Sequence, residues 1–183
     1  MNKKLSYILR LAICLCVLLS AGWGYVLFGH TLMPGWIPLC IAGLFAIATL
    51  GIYRRWAWFT GSSRKAANIV CHLLCTASLG YGLFLSSNYY GRDKDTPQET
   101  VAVLLDKHSE NQERRNRIGR HRYQTTHVQK YYIEAAFENG LIKTLDVSRA
   151  QYKAAHGDTL RLILEKGMWG FPIIEIMQIK NKV

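Results

Sequence analysis

Four histidines, His108, His121, His127 and His156, lie in the polar second half of the chain, and Asp106, Asp146 or Asp158 would complete a hydrolytic triad with one of them. A triad works only when an activated nucleophile is held against the imidazole. Residues 91–183 contain no G-x-S-x-G, S-x-x-K or H-E-x-x-H, no His-x-x-x-His pair and no glycine loop able to cradle a phosphate. The same half has no cysteine, which excludes thiol redox chemistry and a disulfide framework there. A hydrolase is therefore the least favoured reading, and the chain is expected to be non-catalytic with no metal and no cofactor.

In the apolar first half, Cys71 and Cys75 stand four apart on one helix face beside His72. That trio would suit a metal or a haem, but c-type haem attachment needs Cys-x-x-Cys-His, and the apolar stretches hold no carboxylate to balance a cation. His72 is read instead as a polar contact between helices. Cys14, Cys16, Cys40, Cys71 and Cys75 are read as small apolar packing residues. An oligomeric transporter or channel whose shared path is lined by His72 and the Cys71/Cys75 face is the alternative.

Two further groups have binding chemistry. Arg114, Arg115, Arg117, Arg120 and Arg122 crowd a stretch whose only apolar residue is Ile118. Its plainest reading is a solvated loop between strands; its sharper one is a contact for anionic lipid, an envelope polymer or an acidic partner. Trp169 and Phe171 flank a glycine in a turn, where they would either stack locally or offer a surface contact.

What must position these groups is a chain of two unlike halves. Residues 1–90 carry 7 Lys or Arg and no acid, whereas residues 91–183 carry 16 against all 12 acids, so the net charge of +11 divides into +7 and +4. A step of that size marks a domain boundary. Three spans are expected at 7–29, 34–53 and 66–88, then a linker over 91–98 and a β domain over 99–183. Residues 11–29 alone run uncharged for roughly 28 Å as helix, close to the ~30 Å hydrocarbon core. They are read as a retained anchor, since no small-x-small cleavage site follows.

Four cations, Arg54, Arg55, Arg64 and Lys65, crowd the second connection, and none lies in the first. By the positive-inside rule the N-terminus and second connection are cytoplasmic and the β domain extracytoplasmic. Trp36, Tyr89 and Tyr90 then mark the outer interface and Tyr53, Trp56 and Trp58 the inner one. Ser78 and Gly82 form a small-x-x-x-small pair suited to close helix contact.

The second half reads as about six short strands and one helix, a small antiparallel OB-like barrel or sandwich. Strands are expected near 100–105, 123–147, 158–165 and 171–179. A three-residue loop, Glu138-Asn139-Gly140, aligns Ile133 with Leu145 and Tyr131 with Val147, whereas a two-residue turn would split that apolar face. Ser148 and Gln151 have capping-box spacing, and Gly157 ends the short helix. Tyr152, Gly157-Asp158 and Lys166-Gly167 resemble the close of small β domains in bacterial membrane proteins.

These features together lead to the expectation of a bacterial inner-membrane protein whose extracytoplasmic β module binds a protein or an envelope component. Its expected partners are the bilayer, a protein partner or further copies of itself in the membrane, and an anionic lipid or envelope polymer. Nucleic acid is not expected, because the arginine stretch faces away from the cytoplasm and no aromatic residue is interleaved with it.

Overall fold

The computed structural model describes residues 3–120 and 122–177. Helices come first and an open antiparallel sheet follows. The chain divides into two compact units, Met1–Lys94 with Lys166–Ile173, and Asp95–Glu165 with Ile174–Val183.

In the helical unit, α1 (Lys3–His30) and α4 (Lys65–Tyr90) are long and apolar enough to cross a membrane. Between them α2 (Trp36–Ala48) begins two residues inside the expected span, with Ile37 N donating to Pro34 O (3.2 Å). It does not run on to Tyr53 as expected. The chain bends by 71° at Thr49 into a 3-10 segment (Leu50–Trp56) and the single turn α3 (Ala57–Thr60), so there are three candidate spans only if this bent pair counts as one. At the break Phe45 O accepts from both the Thr49 amide (3.2 Å) and the Thr49 hydroxyl (2.8 Å), and that hydroxyl sits 3.2 Å from Ala46 O.

Small residues let α1 and α4 touch. Ser20 Oγ donates to Ser78 O (3.3 Å), a Cβ on Gly82 would lie 2.6 Å from Ser20 O, and one on Gly24 would lie 2.7 Å from the Tyr81 ring. Further along, Leu27 and Leu85 share one buried cluster with Met33. Ser20, Gly24 and Leu27 thus meet Ser78, Gly82 and Leu85 in the same order, so the two helices are parallel. Against α4, the order of α2 is reversed: Phe45 covers Gly80, and Ala46 and Thr49 meet His72. The small pair Ser78/Gly82 is the close-approach site anticipated from its spacing.

The sheet has five strands in the order β3-β2-β1-β4-β5. They are β1 (Asp93–Arg117), β2 (Tyr123–Ala136), β3 (Ile142–Val147), β4 (Thr159–Lys166) and β5 (Pro172–Met177), with helix α5 (Arg149–Ala154) before β4. The described strands form one open sheet, and neither a closed barrel nor a second layer is seen among them. Strand β1 starts inside the stretch expected as linker, and the end of the last expected strand, Gln178 and Ile179, lies outside the described residues.

The β2–β3 register is the one required by a bulged three-residue loop. Ile133 faces Leu145, Tyr131 faces Val147, and Gly140 has φ +77°. Phe137 N donates to Leu141 O and Gly140 N to Phe137 O, both at 2.9 Å. Ala102, Ile133, Ala135, Leu145, Val147, Leu160 and Leu162 are buried in this unit. The capping box of α5 is closed, with Ser148 N donating to Gln151 Oε1 (2.8 Å) and Gln151 N to Ser148 Oγ (3.3 Å).

A further expectation is overturned. The basic stretch is not a loop: residues 106–117 continue β1 and pair with 123–134 of β2, leaving a turn of only five residues, 118–122. Twelve strand residues reach about 40 Å. The stretch carries no strand signal because residues 108–120 and 122–129 are exposed, so neither face has an apolar period. A bulge at Leu105 also switches the faces. It turns Lys107 to the core side, where Nζ donates to Ala155 O (2.7 Å) and lies 4.5 Å from the Tyr152 ring centroid.

Lys143 pairs with Ala135 and so shares the face of Leu145 and Val147. Burial there pushes its ammonium down to about 8. Its folded-state value is depressed, so between pH 8 and the ordinary lysine range the unfolded chain holds more protons and folding gains stability as pH rises. In thermal unfolding of the detergent-solubilised protein, the stability difference between Lys143→Met and the parent is expected to be greatest in the mutant's favour at or below pH 8 and to shift toward the parent on approaching pH 10.5. A difference independent of pH would contradict this placement.

Candidate functional site

His72 is fully buried in the helical unit. Its Nε2 lies 3.2 Å from Ala46 O and 3.3 Å from Thr49 Oγ1. A carbonyl only accepts and the Thr49 hydroxyl is already donating to Phe45 O, so Nε2 carries the proton. Trp56 closes over the ring edge-on, with centroids 6.2 Å apart. Nδ1 is buried with no hydrogen-bond partner among the described residues. The imidazole joins α2 and α4 at the break and satisfies a carbonyl that the end of α2 leaves open.

Cys71 and Cys75 are partly exposed on α4. Among the described residues, no three His, Cys, Asp or Glu side chains come together as a metal would require. Ser62 and Lys65 have the spacing of a serine–lysine nucleophile pair in the first half of the chain, but the Ser62 hydroxyl accepts from Arg64 N (3.2 Å). Ser62 O accepts from Asn68 Nδ2 (3.2 Å), and Thr60 Oγ1 donates to Asn68 Oδ1 (2.5 Å). This knot of hydrogen bonds turns the chain into α4.

The β4–β5 turn, which carries Trp169 and Phe171, clusters with the helices. Asn88, fully buried near the end of α4, grips the turn from both sides of its amide: Nδ2 donates to Phe171 O (3.2 Å), and Oδ1 accepts from Trp169 N (3.0 Å). Gly167 is required there, because a Cβ would collide with the Asn88 amide. Leu32 N donates to Pro172 O (2.8 Å), and Thr31 forms a β-bridge with Ile173. Phe171 packs on the Leu27–Met33–Leu85 cluster and meets Phe84 edge-on. Trp169 remains 54% exposed, with its indole N–H donating to Ser87 Oγ (2.8 Å). Asn88 had no signal in the sequence; its partners lie more than 80 residues away.

The five arginines occupy the far end of the β1–β2 ribbon. Arg115 faces Thr125 and Arg117 faces Tyr123 on one side, while Arg114 faces Thr126 on the other. Arg117 closes the turn, with Nε donating to Gly119 O (3.1 Å) and Nη2 to Arg120 O (2.9 Å). Arg115 lies over the Tyr123 ring at 5.6 Å. Nearer the sheet, cross-strand contacts hold the ribbon together: His127 Nδ1 lies 4.0 Å from Glu113, Gln129 donates to Ser109 (3.2 Å), and His108 stacks on Tyr132. Of the triad partners considered, Asp106 lies 3.6 Å from His108 on an exposed surface. His121 lies outside the described residues.

No protein family, curated protein or solved structure matches this chain.

Replacing Asn88 with Ala leaves the Trp169 amide and the Phe171 carbonyl without their partner, at about 1–3 kcal/mol if they stay buried. Asn88→Ala is expected to lower the melting temperature in detergent and to red-shift tryptophan emission as Trp169 loosens. Unchanged melting and emission would show that the clamp carries no stability.

Proposed function

We propose that the chain is a three-span integral membrane protein, bacterial and in the inner membrane, that holds its sheet unit on the opposite side from its N-terminus, and that the sheet unit works by binding rather than by catalysis. The observation that carries this reading is the direction of the helices. With α1 and α4 parallel and α2 antiparallel to α4, the starts of α1 and α4 and the end of α2 share one end of the bundle. All seven cations of the first half, Lys3, Lys4, Arg10, Arg54, Arg55, Arg64 and Lys65, belong to that end. The Arg10 guanidinium donates to Trp58 O, which ties the bent segment after α2 to the beginning of α1.

Such an end belongs in the cytoplasm. Alone, α2 reaches only about 20 Å, short of the ~30 Å core. The bent segment after it, with Tyr53, Trp56, Trp58, Arg54 and Arg55, has the composition of an interfacial elbow that completes the crossing. At the other end Trp36, Tyr90 and Trp169 are half exposed or more, as suits an outer aromatic belt. The sheet unit presents a long polar ribbon and no nucleophile motif, which favours a contact module for a protein or an envelope component.

Alkaline phosphatase fused after Val183 is expected to be active in a bacterial host, and a green fluorescent protein fused there to stay dark. An inactive phosphatase with a bright fluorescent fusion would place the sheet unit in the cytoplasm and end this reading.

A further inference from the structure

We infer that the distal half of the β1–β2 ribbon binds a flexible linear polyanion, a polymer bearing repeated phosphate or carboxylate groups; this rests on reading the sheet unit as a binding module. Between Glu113 and Glu134 no acid occurs, whereas Arg114, Arg115, Arg117, Arg120 and Arg122 do; Lys130, in the same interval, lies opposite Glu110. The antiparallel register divides these cations between the two faces and the turn. Strand β3 covers β2 only as far as Tyr131, and both faces of the distal ribbon are open to solvent. Four of the five arginines are presented for contact, since Arg117 is committed to the backbone of the turn. Arginine forks also recognise phosphate and carboxylate in a bidentate manner that lysine cannot match.

Other occupants fit less well. A second copy pairing edge to edge would set one arginine cluster against another, the device by which exposed strands avoid self-association. A protein partner needs an apolar centre to desolvate. Here the exposed apolar side chains are Tyr123 on one face, Val128 on the other and Ile118 in the turn, so they form no patch. A bilayer surface is flat and neutralises one face while leaving the other bare. Nucleic acid gains from base stacking, yet among the described residues of the distal ribbon Tyr123 alone offers an aromatic ring of that kind. A flexible chain of anions can cross from face to face and follow the cations around the turn.

The test uses the full chain in neutral-lipid nanodiscs, with fluorescent linear polyphosphate as probe and anisotropy measured across a salt series. Binding is expected to weaken with salt, because each neutralised phosphate releases counterions. Replacing four arginines (R114Q, R115Q, R120Q and R122Q together) should lower affinity by on the order of tenfold or more and cut the log–log salt slope by about 3, at ~0.7 per contact. Arg117 is left in place to keep the turn, and an unchanged circular dichroism spectrum verifies the sheet. Arg161→Gln on β4 should bind as the parent does. Parent-like binding by the fourfold variant, or no binding by the parent, overturns the inference. So does tighter binding per phosphate to phosphatidylglycerol vesicles or to single-stranded DNA. A cytoplasmic sheet unit in the fusion experiment, with polyphosphate still held by these arginines, would remove the proposed function and leave this site standing.

Discussion

The contact on which the rest depends is the one between α1 and α4, where Ser20 and Gly24 lie against Ser78, Tyr81 and Gly82. Close approach of these two backbones relies on dispersion and on the absence of side-chain bulk. Gly82 supplies that absence directly over the Ser20 backbone. Because the contacts continue to Leu27 and Leu85, they fix α4 parallel to α1, and the proposed odd number of crossings rests on that one relation. The return path is α2 with its bent extension. His72 is what makes the bend tolerable, since it covers the carbonyl at which α2 stops and brings Trp56 in behind it.

At the other end of the bundle the turn 166–173 is held by a second polar device. The buried amide of Asn88 would be costly alone, but it spends both its donor and its acceptor on the turn backbone. Phe171 fills the apolar space beneath and Trp169 lies across the rim. The final β hairpin therefore belongs in part to the helical unit, and the polypeptide passes between its two units at three points.

What could be read from the sequence follows from where the physics is local. Ser148 and Gln151 announce the start of α5, and Glu138-Asn139-Gly140 dictates a register because any slip would bury Asp146 in place of Leu145. The start of α2 and both ends of α4 fall within two residues of the uncharged runs expected at 34–53 and 66–88. The ribbon was not, because a strand wetted on both sides has no apolar alternation, and its stability comes from pairs such as Ser109 with Gln129 that appear only once the register is known. Nor was the break at Thr49, within an uncharged run whose ending needs a histidine 23 residues further on. The arginines were recognisable as a group, but their division between two faces and a turn was not. Asn88 gave no sign at all.

The central claim is that α1 and α4 run the same way. In a background with the native cysteines replaced by serine, Leu27→Cys paired with Leu85→Cys is expected to form a disulfide on mild oxidation in native membranes. Ile13→Cys paired with Leu85→Cys, which antiparallel packing about the Ser20–Ser78 contact would bring together, is expected to form none. The opposite pattern would mean that α4 runs against α1, and the three-span account with the sheet unit opposite the N-terminus would be wrong.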